Sequence, residues 1–294
     1  MVRPALSAAR GFDIIDLLLA SPERGRSLSE IAKATGINLA SCHAVLNVLV
    51  ERGYLERNPQ TRGFAPGRML VIAGSVAAAH QPLLAQARAA GEDIVRRLDI
   101  PVAISTVIGS DIVGAVAIAN SRGVHTGLQV GERRPLIPPI GTPFIAWAGD
   151  AAIEDWLARA PEGGGDWKRE LRGGIANIRA RGFEVLVRSD RTEGLATALN
   201  RFAGNRTDPA SPASEDAGFH HLGPNMSLPA SLEADKTYDV TMIAVPIFDR
   251  HGECAYNLCL GPFAEMISGT AVRAYADELL SACVAVMAAD RAAA

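Results

Sequence analysis

Apolar residues recur at helical spacing near the start of the chain. Phe12, Ile15, Leu18 and Leu19 form a stripe between Leu6 and Ala20, with Arg10, Asp13 and Asp16 off it. Pro22 stops the run. Ser27-Leu28-Ser29-Glu30 reads as a capping box, in which the Ser27 hydroxyl accepts from the third helical amide and Glu30 reaches back to the Ser27 amide. A second, short helix therefore runs from Leu28 to Ala34. Gly36, able to take a positive φ, ends it, and Asn38 caps a third helix from Leu39 to Arg52. On that helix Cys42, Leu46, Leu49 and Val50 share an apolar face, leaving Ala40, Ser41, His43, Ala44 and Asn47 on the other. Gly53 closes it. Tyr54–Arg57 and Phe64–Pro66 are short strands around the polar turn Asn58–Gly63. These elements together predict a winged helix-turn-helix over residues 1–74.

Residues 75–98 continue as an Ala-rich helix, interrupted at Pro82 and closed by Pro101, which is expected to link the head to a body of residues 99–294. The body mixes strands and helices. Strands are expected at Val102–Ile108, Ile112–Ala119, Thr126–Val130 and Phe183–Arg188, and as a hairpin of Val240–Phe248 with Cys254–Leu260 that turns at Asp249-Arg250-His251-Gly252. Helices are expected at Thr142–Ala148, Ile153–Arg159, Trp167–Arg181 and Thr270–Ala289. Gly204–Asp235 is rich in Pro, Ser, Gly, Asp and Asn without periodicity and reads as a long exposed loop. The fold class is α+β, and no segment repeats another at a fixed period.

Length and composition fit two soluble domains: 294 residues, 48% hydrophobic and 21% charged, leave no sign of wholesale disorder. The net charge of −3 is unevenly placed, +3 over residues 1–68 against −6 over the remainder, which suits a DNA-binding head on an acidic body. Cys42, Cys254, Cys259 and Cys283 form no C-x-x-C pair and no disulfide scaffold, so a reducing cytoplasm is the expected compartment. No apolar stretch approaches the roughly 20 residues that span a bilayer, and no signal-peptide pattern opens the chain; neither membrane insertion nor secretion is expected.

A short helix, a turn and a longer helix with a polar outer face place side chains in the major groove, where each base pair shows its own donor and acceptor pattern. Ser41, His43 and Asn47 are able to hydrogen-bond to base edges there, with Ala44 beside them. The wing sets Arg57, Gln60 and Arg62 against phosphates or the adjacent minor groove, and Arg3 and Arg10 add backbone contacts. One head reads few bases. A homodimer or a tetramer on a symmetric double-stranded operator is therefore expected.

These segments resemble the IclR family of transcription regulators. Arg10-Gly11-Phe12-Asp13-Ile14-Ile15-Asp16-Leu17-Leu18 is similar to the family's R-A-L-x-I-L-x-L-L opening. The stretch from Leu28-Ser29-Glu30-Ile31-Ala32 through Thr35-Gly36-Ile37 to Val48-Leu49-Val50-Glu51-Arg52-Gly53-Tyr54-Leu55 is similar throughout. Gly131–Gly141 with Pro135-Leu136, Ile178–Phe183 and Ile243–Gly252 also match, so the resemblance spans nearly the whole chain. It implies a GAF-like body: an antiparallel sheet flanked by helices, with a small-molecule effector on one sheet face. Cleft positions carried over from the family are Leu128, Ile140, Gly141, Val240, Met242, Leu258 and Leu260. Their apolar character points to a comparatively apolar or aromatic organic acid. Two departures stand out. Leu39 and Ala44 occupy places around His43 where the family often carries cations, which implies weaker nonspecific DNA affinity and a shallower salt dependence. The Gly204–Asp235 stretch has no family counterpart.

Two other function classes compete. A winged helix also serves as a protein-binding module, and the missing recognition-helix cations favour that alternative. An enzyme would need a reactive cluster: Cys254 and Cys259 with His251, or His220-His221 with Asp216, are the candidates. Neither has a recognised spacing, and the chain has no phosphate loop, H-E-x-x-H or G-x-S-x-G motif. No catalysis, metal or cofactor is expected.

Overall fold

The computed structural model describes residues 5–20, 24–138, 140–159, 165–188, 226–227, 229 and 231–292. Two compact units divide between Gln81 and Pro82. The head comprises α1 (Leu6–Leu19), α2 (Leu28–Thr35), α3 (Leu39–Glu51), β1 (Leu55–Arg57), β2 (Phe64–Pro66) and α4 (Arg68–Ala79). Its capping box forms as the sequence requires: the Ser27 amide donates to Glu30 Oε2 at 2.8 Å and the Glu30 amide donates to Ser27 Oγ at 3.3 Å. These bonds hold the Glu30 carboxyl below its usual range, the Ser27 amide contributing most. Gly36 ends α2 at φ +65, and Asn38 Oδ1 accepts from the Ser41 amide at 2.9 Å to start α3. Arg26 and Phe64 exchange backbone hydrogen bonds, which fastens the α1–α2 connection to the wing.

Ile14, Leu18, Ile31, Cys42, Leu46, Leu55 and Phe64 fill the head's core. The stripe expected on α1 is right at Leu18 and out of phase elsewhere: Leu18 is buried together with Ile14, whereas Phe12 is 67% exposed and Leu19 is also exposed. Both sets satisfy a 3.6-residue period, so spacing alone did not choose between them. The interruption expected at Pro82 within residues 75–98 is a full break between two helices. Helix begins earlier, at Arg68, α4 ends at Ala79, and a second helix, α5 (Pro82–Leu98), buries Leu83, Ala87, Gly91 and Ile94 in the body. Pro82 sits at the first position of α5, where its missing N–H costs nothing. No residue of α4 is buried.

The body is built on an antiparallel sheet. Its strands are β3 (Val102–Ile108), β4 (Asp111–Ile118), β5 (Arg133–Pro135), β6 (Glu184–Arg188), β7 (Met226–Ser227), β9 (Val240–Phe248) and β10 (Cys254–Leu260), in the order β5-β4-β3-β10-β9-β6-β7. β8 (Thr237–Tyr238) and β11 (Ile267–Ser268) pair separately. On one sheet face lie α5 and α9 (Gly269–Ala292), whose Ala87, Ile94, Val272 and Leu279 meet Ile104, Val185, Ile243, Leu258 and Leu260. On the other lie α6 (Thr142–Ala146), α7 (Asp150–Ala158) and α8 (Gly165–Arg181), with Ile145, Trp156, Leu157, Ile175 and Ile178 packed against Ile112 and Leu136.

Thr126–Val130, expected as a strand, is irregular; the edge strand is β5. The segment crosses β4 at Gly114, which accepts from the Gly131 amide at 2.8 Å and donates to the Glu132 carbonyl at 3.0 Å. β7 lies within the expected Gly204–Asp235 loop, and most of the rest of that stretch is outside the described residues.

A Cβ on Gly114 would stand 2.0 Å from the Gln129 carbonyl oxygen, a backbone atom that yields only if the crossing segment moves. Gly114→Ala is therefore expected to destabilise the body by about 1–3 kcal/mol. Gly173 in α8 has open space around it, and Gly173→Ala should leave stability unchanged or raise it. Thermal unfolding of both variants checks the contrast.

Candidate functional sites

The outer face of α3 presents His43, Ala44 and Asn47 to solvent, with Ser41 half-buried at its first turn. Asn47 Nδ2 and His43 Nδ1 are 3.4 Å apart, so the two polar side chains stand together one helical turn apart. Leu39, 56% exposed, and Val48 extend this face with apolar surface where a cation would bind phosphate. The wing tip is tied by Asn58, whose Oδ1 accepts from the Gln60 and Thr61 amides at 2.8 and 3.0 Å. Arg62 takes a positive φ of 58 there. Gln60 and Arg62 are exposed, and the Arg57 guanidinium lies over the Phe64 ring at 5.5 Å. Arg10 is half-buried on α1. α3 and the wing thus carry every residue expected to meet DNA except Arg10 and Arg3, the latter outside the described residues.

The seven expected effector positions do not converge. Leu128 and Ile140 pack beside Ile112 and Phe144, on the face covered by α6–α8, and Gly141 caps α6 at φ +85. Val240, Leu258 and Leu260 point the other way, into the core under α5 and α9. Side chains alternate along a strand, so the residues of β9 and β10 that share a face with Ile140 and Gly141 are Met242 and Ala244, and Asn257 and Cys259. A shift of one residue along β10 exchanges one face for the other. Three of the apolar residues expected to meet an effector, Val240, Leu258 and Leu260, thus pack into the core and not beside the other four.

Beside the apolar cluster around Ile112, the α6–α8 side of the sheet carries a polar one. Glu184, Asn257, Ser105, Thr142 and Arg134 are all buried there. Glu184 hydrogen-bonds with Thr142, the first residue of α6. Asn257 Nδ2 donates to Cys259 Sγ at 3.4 Å. Arg134 donates to Glu132 at 2.9 Å and to the Gly127 carbonyl, holding the segment that carries Leu128. Burial pushes the Glu184 carboxyl up to about 8 against the opposing pull of Thr142 and Arg181, so at neutral pH it is largely protonated. A strand pattern offered one signal for this cluster: a Glu and an Asn at positions where a buried strand should be apolar.

Among the described residues, the candidate cysteines are held as unreactive thiols. Burial raises the Cys254 and Cys283 thiols to about 12 and moves Cys259 and Cys42 in the same direction, away from the nucleophilic thiolate. His251 is exposed in the β9–β10 turn, and Asp216, His220 and His221 lie outside the described residues. Among the described residues no cluster of three or more His, Cys, Asp or Glu is placed to hold a metal ion, and no single helix is long and apolar enough to cross a membrane.

A three-helix head with a wing, joined to an antiparallel sheet with helices on both faces, defines a two-domain winged helix-turn-helix protein of the α+β class. Residues 7–59 match the IclR helix-turn-helix domain family. The solved IclR transcriptional regulator from Alicyclobacillus acidocaldarius superposes with a TM-score of 0.68 at 18% identity, over 98% of this chain and 100% of that one. An IclR homologue from Microbacterium hydrocarbonoxydans, solved with 4-hydroxybenzoate, gives 0.65 at 18% identity over 97% and 99%. The HTH-type transcriptional regulator XynR of Escherichia coli K12 is 24% identical over 152 residues, which span 51% of this chain and 60% of that protein. Residues 7–59 thus match the IclR helix-turn-helix domain, and the chain as a whole shares the fold of these solved regulators.

Glu184 has a testable pH signature. Its folded pKa, about 8, lies above the ordinary value of 4.5, so its contribution is fully present below pH 4.5 and is lost as pH rises through 8. Glu184→Gln keeps the group neutral throughout. The melting temperature of the variant relative to the parent chain should climb by several degrees between pH 5 and 8, with Arg181, Arg134 and Cys259 the neighbouring titratable groups.

Proposed function

We propose that this chain is a DNA-binding transcription regulator of the IclR type that acts in the cytoplasm, reads a double-stranded operator as a homodimer or tetramer, and answers to a small organic effector in its body. The observation that carries this reading is the α3 face, on which His43, Asn47 and Ser41 gather beside a wing bearing Arg57, Gln60 and Arg62, in a head matching the IclR helix-turn-helix domain. His43 and Asn47 supply base-edge contacts in the major groove and the wing arginines supply phosphate contacts. Their division of labour gives different mutational signatures.

Pairing of heads is supported by α4, where Val71 and Val76 are 72% and 60% exposed and Ile72 is exposed beside them. An apolar helix without a buried residue needs a partner, and a second copy provides one symmetrically. The polar cluster around Glu184 and Asn257 supports an effector site on the α6–α8 side of the sheet; the Microbacterium homologue was solved with a small aromatic acid. The rival reading, a head that binds protein, rests on the exposed Leu39 and Val48 of α3.

Gel shifts against DNA upstream of the chain's own gene discriminate these readings. The parent chain should shift it at low salt, and the His43→Ala, Asn47→Ala double variant should lose roughly tenfold or more in specific affinity. Arg57→Ala and Arg62→Ala should each weaken binding across sequences and reduce the salt slope by about 1. No shift at any salt would overturn DNA binding. For the homodimer, Val71→Glu with Val76→Glu is expected to sediment as a smaller species than the parent chain.

A further inference from the structure

The polar cluster on the α6–α8 side of the sheet contains two oxygens that no group among the described residues satisfies, Glu184 Oε1 and Asn257 Oδ1. The residues are 1% and 4% exposed. Buried acceptors without donors are uncommon in native folds because removal from water is not repaid. Trp156 Nε1 on α7 and Arg181 Nη2 on α8 are orphaned too, on the helices of that side, and Gln86 Oε1 and Arg26 Nε lie elsewhere; the two acceptors are the orphans carried by the sheet itself. These two share one sheet face.

The rows across that face explain how they act together. Glu184 of β6 faces Ala244 of β9, which faces Cys259 of β10, which faces Ala103 of β3. One step along, Pro246, Asn257 and Ser105 form the next row. Small side chains therefore make up the floor between the two orphan oxygens. With neighbouring strands about 4.8 Å apart, Glu184 and Cys259 are separated by roughly 10 Å and Asn257 lies roughly 7 Å farther along, a span suited to a small organic molecule. Arg181 does not pair with Glu184; it donates to the carbonyls of Phe183 and Pro229 at 2.6 and 3.3 Å. The Glu184 carboxyl, protonated at neutral pH and already bonded to Thr142, thus presents an uncharged oxygen to this floor.

We infer that Glu184 and Asn257 are specificity-determining residues for a hydroxyl-bearing effector, whose O–H donors satisfy their two orphan oxygens. The inference rests on the reading of this face as the effector site and adds the chemistry it selects. A ligand that keeps the same skeleton but has its hydroxyl methylated offers no donor and leaves the buried oxygens unpaired.

Isothermal titration calorimetry on the full-length protein tests this with matched pairs: 4-hydroxybenzoate and 4-methoxybenzoate, catechol and veratrole, resorcinol and its dimethyl ether. At least one hydroxylated member should bind, with its ether roughly tenfold weaker or worse. Glu184→Gln, neutral and still an acceptor, should keep affinity within about threefold, whereas Glu184→Leu and Asn257→Ala should each erase most of the preference. An ether that binds as well as its parent, or a Glu184→Leu protein that folds and still discriminates, overturns the role of these residues and leaves the effector site standing. Loss of binding in Glu184→Gln as well as Glu184→Leu overturns recognition by an uncharged carboxyl. Binding of none of the pairs overturns the small-molecule reading of this face and the inference with it.

Discussion

The two-residue alternation of side chains along β9 and β10 is the constraint on which the body depends. Tyr256, Leu258 and Leu260 join Ile243, Val245 and Ile247 under α5 and α9, and this continuous apolar layer holds the sheet to its helices. The intervening residues, Asn257, Cys259 and Ala244, are thereby committed to the opposite face whatever their chemistry. Polar groups are tolerated there because the sheet is held from the other side. The same strands therefore supply stability on one face and chemistry on the other, with no residue asked to do both.

The head divides its work in a similar way. Cys42 and Leu46 anchor α3 against Ile14, Leu18 and Ile31, which frees His43, Ala44 and Asn47 for solvent. Because the outer face of α3 carries Leu39 and Ala44 in place of cations, attraction to phosphate is proposed to fall mainly to the wing. There Arg57 lies over Phe64, and Asn58 fixes the backbone that carries Gln60 and Arg62. Phosphate contacts orient a protein on its duplex and base contacts select the sequence. In the proposed function the two roles sit on separate elements joined by the turn at Gly53.

Where the chain carries local signals, its sequence was sufficient. Ser27 with Glu30, Gly36 and Asn38 placed α2 and α3 to within a residue or two, and Asp249 to Gly252 placed the β9–β10 turn. Where two arrangements satisfy the same pattern, it was not. Phe12 and Ile14 both belong to helical stripes of α1, and only the packed head decides which faces inward. The strand β5 at Arg133–Pro135 is short and lies at an edge, so its identity comes from pairing with β4 and not from its own composition. The effector-side residues failed for a sharper reason. Leu258 and Asn257 are adjacent, and a shift of one residue carries a side chain through the sheet. Arg10, Leu128, Ile140 and Gly141 fell where their elements put them, but the Glu184 cluster is assembled from five separated segments and exists only in the folded body.

The buried thiols have a practical side. Cys42, Cys259 and Cys283 are buried and Cys254 is half-buried, and desolvation holds all four toward the unreactive protonated form. Alkylating dyes at neutral pH will pass over them. A single cysteine introduced at the wing tip or on the exposed face of α4 would then take a fluorophore or spin label selectively, without removal of the native cysteines, and would let the head's encounter with DNA be followed in real time in an otherwise unaltered protein.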